Sequence, residues 1–289
     1  MTAHVRKRGS GMNVLLKNPM RQGNEKTERI KKTAGLILLF VAVWILTKAA
    51  ISRSSYTPYV PKEPAAIFLY GEVPGVEAFY EKEYELWEEH YTAEGLRDLF
   101  LELPYYDAQW LNLWMRSGDD AFLQQWYEDM EGERAHVDPI LDFFRSIREN
   151  CPDTVFHGTD IGLRYDTSGT RYLNYLEEMG KAGSEEYSLA QACIDQGKTY
   201  EAQKDDVWRE EMMTRNFIQA YDASGSETVA GIYGDAHCDP RRKAGKNDKG
   251  CMAKQLQDVY GDVISYEAVE SMVKIESDKM LEKQPSGKN

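Results

Sequence analysis

A run of nineteen residues, Thr33–Ile51 (TAGLILLFVAVWILTKAAI), constrains this 289-residue chain more than any other feature. Thr33–Thr47 carry no charge, and the Lys48 side chain can snorkel toward an interface. A helix of that length, at about 1.5 Å per residue, reaches roughly 28 Å, close to the hydrocarbon thickness of a bilayer. Residues 1–32 hold nine Lys/Arg against Glu25 and Glu28, a net +7. Only Lys48, Arg53 and Lys62 follow closely, so the bias of positive charge predicts a single transmembrane helix with a cytoplasmic amino terminus. The lipid bilayer, engaged through residues 33–51, is then a partner, and the protein is expected in the cell membrane with its main domain outside.

The whole chain carries −13, so the 257 residues after the basic tail carry −13 − 7 = −20. A body this acidic repels phosphate backbones, and no nucleic-acid partner is expected. Ser52–Pro64 (SRSSYTPYVPKEP) reads as an extended tether. Residues 65–275 form the expected extracytoplasmic domain, and 276–289, charged and ending in PSGKN, read as a disordered tail. Cys151, Cys193, Cys238 and Cys251 all fall in that domain. An even count in an oxidising compartment predicts two disulfides. Cys238–Cys251 would close the polar loop CDPRRKAGKNDKGC, which leaves Cys151–Cys193 by elimination.

Within the domain, short apolar runs alternate with helical patterns. AIFLYG (66–71), DLFLEL (98–103), TVFHG (154–158), TVAGIYG (228–234) and VISY (263–266) have the length of buried strands. Between them, spacings such as Val76, Phe79, Tyr80, Tyr84, Trp87 and Tyr91 mark amphipathic helices, and Ser117-Gly118 breaks the region 105–130 into two. The fold class is α/β, a mostly parallel central sheet flanked by helices. In such sheets sites form beyond the carboxyl ends of the strands, where this chain carries Glu72, Glu102, Asp160 and His237. Each also has a plain structural role open to it: Glu72 and Asp160 can cap helices, Glu102 can pair with an arginine, and His237 can be incidental.

Five segments occur in an order that resembles the erythromycin-esterase-like superfamily, itself similar to haem-uptake and Tiki-type hydrolases. They are Gly71-Glu72, FLELPYYDAQWLN (100–112), HGTDIG (157–162), Arg209–Phe217 in an RxxxMxxNF pattern, and GIYGDAH (231–237). The resemblance implies hydrolysis of an ester or related bond by water activated at a Glu/His cluster. It assigns catalytic roles to Glu72, Glu102, Arg209 and His237, and binding roles to His157, Asp160 and Asn216. Arg209 and Asn216, seven residues apart, share a helical face. A salt bridge from Arg209 to Glu102 or Asp160 competes with an oxyanion-stabilising role.

The family pattern expects a histidine where this chain has Pro74, which offers neither a proton nor a metal-binding nitrogen. No cofactor is therefore expected, and Pro74 disfavours the divalent metal used in some branches. The function expected is a membrane-anchored extracytoplasmic hydrolase acting on an unidentified small-molecule or peptide ligand. The alternative is a catalytically degenerate binding module on the same fold. No nucleophile elbow, phosphate-binding glycine loop or HExxH pattern is present.

Overall fold

A computed structural model describes residues 57–242 and 249–283. The expected cytoplasmic tail and transmembrane helix lie outside the described residues, among which no helix is long and apolar enough to cross a membrane. Five parallel strands build the sheet: β1 (Ile67–Glu72), β2 (Asp98–Pro104), β3 (Val155–Asp160), β4 (Val229–Gly234) and β5 (Ile264–Ala268), in the order β3-β2-β4-β1-β5. Nine α-helices accompany them among the described residues: α1 (Glu77–Glu89), α2 (Tyr105–Ser117), α3 (Asp120–Asp129), α4 (Asp138–Asn150), α5 (Thr170–Glu178), α6 (Glu185–Gln203), α7 (Asp206–Ser224), α8 (Met252–Tyr260) and α9 (Val269–Lys283). The last of these crosses the expected domain boundary at residue 275.

The apolar runs are continuous because both faces of the sheet are covered. Tyr70, Leu99, Leu101, Ala230 and Ile232 pack into a core with Trp87 of α1, Trp114 of α2, Trp126 of α3 and Phe144 of α4. The alternate residues Ile67, Leu69, Phe100, Val229 and Tyr233 pack against Met213 and Phe217 of α7 and Leu256 of α8. This period of two is the pleat itself, read through burial. The break between α2 and α3 falls where the sequence places it: Gly118 takes φ 73°, and Asp119 accepts the Ala121 N–H to cap α3.

The two expected disulfides are absent, and all four cysteines are buried free thiols. Cys151 packs in the α1–α4 core, whereas Cys193 belongs to a separate cluster with Tyr106 and Tyr172. Cys238 and Cys251 share the α7–α8 core, but each sulfur faces main-chain carbonyls: Cys238 Sγ lies 3.6 Å from Tyr233 O, and Cys251 Sγ lies 3.1 Å from Asp239 O. An even cysteine count carried the expectation; burial as small apolar side chains explains the residues instead.

Candidate functional site

The parallel strands end on one edge, and the chain places its acids there. Gly71 comes just before the end of β1, and a Cβ at that position would strike both Asp235 and the Tyr266 ring. Only glycine allows β1 to approach the turn after β4 that closely. Glu72 then ends β1 in register with Gly234 of β4. The β2–β3 pairing shifts between Leu101 and Pro104, so Glu102 sits at an irregularity, a common way to re-aim a side chain. Asp160 closes β3, which extends two residues past the expected end at Gly158.

Arg209, in the first turns of α7, joins two of these strand ends. Its Nε donates to Asp160 Oδ1 (3.0 Å), and Nη2 donates to Asp160 Oδ2 (2.6 Å) and Glu102 Oε1 (2.7 Å). Asp160 is 1% exposed and also accepts the Ile161 N–H, while Glu102 Oε2 accepts the Gly234 N–H at 2.7 Å. Burial raises the Asp160 pKa overall, against the opposing pull of the guanidinium. The two-pronged geometry marks the ionised carboxylate as the bound form. For Arg209, burial works against the charge, but Asp160 and then Glu102 hold its pKa above the usual arginine value.

His237 stands behind Glu102. Its Nδ1–H donates to Glu210 Oε2 (2.6 Å), and Nε2 lies 3.5 Å from Glu102 Oε1. Burial disfavours its charge, yet the hydrogen bond to Glu210 and the charges of Glu102 and Glu210 raise its pKa overall. Glu210 also accepts the Met252 N–H at the start of α8.

Glu72 is placed differently. It lines a cleft of about 240 Å³ with Glu83, Glu102, Asp160 and Arg209, between the sheet edge and an apolar wall that includes Tyr80, Ile140 and Phe143. Pro74 lies on its rim. Glu83, on α1, is 2% exposed and lines the same cleft. Glu72 Oε2 and Glu83 Oε1 are left without partners. Burial, then the Glu102 charge, pushes Glu72 up to about 7. Burial and the Glu72 charge raise Glu83 well above the ordinary carboxylate range.

Among the seven residues expected at a site, Glu72, Glu102, Asp160, Arg209 and His237 gather at this edge. His157 and Asn216 do not. They line a second cavity of about 240 Å³ bounded by α6, α7 and β3. His157 Nε2 lies 2.6 Å from Asp98 Oδ1 at the start of β2, and its ring stacks on Phe100. Asn216 Nδ2 donates to Thr159 O and to Gln196 Oε1, fastening α7 to β3 and α6.

Sequence reasoning missed Glu83 and a second buried network. Arg164 lines the cleft and pairs with Glu133 and with Asp107, which is fully buried and also accepts from Ser168. Glu83 and Asp107 were detectable: each lies on the apolar stripe of its helix, Glu83 between Tyr80 and Trp87, Asp107 before Trp110, Leu111 and Trp114. A charge on a buried stripe needs a partner. Among the described residues, no group of three or more His, Cys, Asp or Glu is placed to hold a metal ion.

No family model and no curated protein matches the chain. Three solved structures do. An erythromycin esterase variant, EreC in its open conformation, matches with TM-score 0.50 and 11% identity over 71% of this chain and 69% of that one. A protein from Bacillus cereus (TM-score 0.47, 14% identity) covers 71% of this chain and 66% of its own, and a succinoglycan biosynthesis protein (0.48, 12%) covers 74% and 72%. The chain thus spans just under two thirds of the Bacillus cereus protein. What the EreC comparison establishes is the fold: this domain has an erythromycin-esterase-like α/β architecture.

Proposed function

We propose that the domain is a hydrolase of esters or related bonds, working at the cleft on the carboxyl edge with Glu72 as its acid–base group. The observation that carries this reading is the Glu72 carboxyl itself: buried in a cleft, one oxygen unpartnered, its pKa near 7. A carboxyl so tuned can both take and return a proton at neutral pH. Arg209 binds its two carboxylates through Nε and Nη2, which leaves Nη1 for a developing oxyanion. The apolar wall suits a substrate that presents a hydrocarbon group beside the scissile bond.

The test is turnover on a panel of esters and small amides by the wild type, Glu72→Gln and Pro74→His. Wild-type turnover that falls about 10²–10⁴-fold in Glu72→Gln supports the enzyme.

A binding module is the second reading. It is favoured by the commitment of Arg209 to two carboxylates and of His237 to Glu210, which draws both groups toward structural duty. Absence of turnover in the wild type and in Pro74→His alike would select it. The apolar run 33–51, uncharged from Thr33 to Thr47, supports a membrane anchor with the domain outside the cytoplasm. Protease treatment of intact cells tests that topology: removal of the domain with a protected tail is expected, and a protected domain would reverse it.

A further inference from the structure

We infer that the second cavity, at the outer edge of β3, binds a small neutral molecule carrying a primary carboxamide or a lactam. The site is separate from the cleft of Glu72 and does not depend on the hydrolase reading. Among the described residues β3 pairs with β2 alone, so its other edge is left to side chains. In a parallel strand, successive residues turn their main-chain groups to opposite edges. The Val155 N–H points toward β2, donating to Arg97 O at 2.8 Å. Phe156 points outward, and Asn112 of α2 takes both its groups: the Phe156 N–H donates to Asn112 Oδ1 and Asn112 Nδ2 donates to Phe156 O, each at 2.9 Å. Gly158, two residues on, therefore turns its N–H and C=O to the same outer edge, where it lines the cavity. Among the described residues no side chain takes this pair, and Gly158 is buried. A buried main-chain donor and acceptor without partners call for a ligand that supplies both.

The clasp at Phe156 shows which chemistry fits this edge. A primary carboxamide holds a donor and an acceptor side by side, matching the N–H and C=O of one extended residue. A lactam does the same, because its ring keeps the amide cis. An open-chain secondary amide is trans, so its N–H and C=O point apart and it meets only one of the two. The cavity wall repeats the pattern: Gln196 Nε2 donates to Asn216 Oδ1 at 3.0 Å, and Asn216 Nδ2 donates to Gln196 Oε1 at 2.9 Å. Gln109 lies one turn before Asn112 on the same face of α2 and lines the cavity. Its amide makes no hydrogen bond among the described residues, which leaves it for the ligand.

Charge and size agree with a neutral occupant. No lysine or arginine lines the cavity and its acidic residue, Glu185, is exposed, so an anion finds no counter-charge there. Leu189, Ala192 and Ala220 offer apolar surface for the hydrocarbon part of the molecule. A cavity of about 150 Å³ holds a benzene ring. The volume of about 240 Å³ here admits a small lactam.

NMR titration of the full chain with γ-butyrolactam tests the site. His157-Gly158 is the one His-Gly pair in the sequence, so carbonyl-labelled histidine with nitrogen-labelled glycine singles out the Gly158 amide. That amide should move saturably as the lactam is added. N-methyl butyrolactam lacks the donor for Gly158 O and should bind about tenfold more weakly. No saturable movement, or equal affinity for the two lactams, would overturn the inference. Ala192→Trp fills the cavity from an exposed position on α6, where the fold tolerates a larger side chain, and should abolish the movement. A movement that persisted in that variant would place the lactam elsewhere and overturn the site.

Discussion

Two charged clusters share the carboxyl edge of this sheet, and they are built on opposite terms. Around Arg209, opposite charges meet and the bonds close: Asp160 receives a forked guanidinium and a main-chain N–H, and Glu102 receives the guanidinium and the Gly234 N–H. Around Glu72, like groups meet and the bonds stay open: Glu72 and Glu83 line one cleft, and each keeps a buried oxygen without a partner. A satisfied network is rigid and has little left to offer a substrate. An unsatisfied one costs stability, and such a cost in a cleft is where chemistry is usually found. The contrast assigns the first cluster to holding the edge together and the second to the proposed hydrolysis.

Breaking each cluster should therefore give opposite results. Arg209→Ala leaves the buried Asp160 carboxylate and the half-buried Glu102 uncompensated and should cost about 3 kcal/mol, read as a lower midpoint in chemical denaturation. A near-neutral effect would mean the network does not hold the edge. Glu72→Gln removes a like-charge neighbour from Glu83, so the loss of stability at neutral pH should stay under about 1 kcal/mol while any turnover falls. A loss as large as that of Arg209→Ala would erase the distinction between the two clusters.

His237 sharpens it further, since its folded pKa is raised. Its share of stability is complete below the unfolded value of about 6.5 and is lost as pH rises through the folded one. His237→Gln should flatten stability against pH above about 6.5 by about 1 kcal/mol or less, and an unchanged curve would show that Glu210 does not hold the charged ring. The smallest effect concerns the thiols. All four should react in denaturant without reductant and resist labelling in the native state, where burial also raises the Cys193 and Cys238 pKa values. Fewer than four reactive thiols in denaturant would restore a disulfide.

Much of the fold was legible in the sequence because strands buried on both faces are unbroken apolar runs with glycine or proline at their ends. TVAGIYG becomes β4 and DLFLEL becomes β2 within a residue of the expected limits. The polar residue after each run marked the edge, which is how Glu72, Glu102, Asp160 and His237 were found. What stayed hidden was pairing across space. Nothing in the spacing of HGTDIG shows that His157 and Asp160 serve different cavities, because that depends on where α7 crosses β3. Nor could cysteine number distinguish a disulfide from sulfurs packed against carbonyls.

The central claim is that the open cluster, Glu72 with Glu83, holds protons in the folded state that the unfolded chain releases. The dependence of unfolding free energy on pH measures this directly, by comparing the wild type with the Glu72→Gln/Glu83→Gln double variant. A carboxyl whose folded pKa is raised contributes fully below its unfolded pKa, and that contribution is lost as pH rises through the folded value, about 7 for Glu72. Between about pH 5 and 7 the wild type should lose stability more steeply than the double variant, by about 1–3 kcal/mol per pH unit, since both carboxyls hold protons in the native state that the unfolded chain has released. Parallel curves would show that Glu72 and Glu83 bind no more protons folded than unfolded, and would contradict the account.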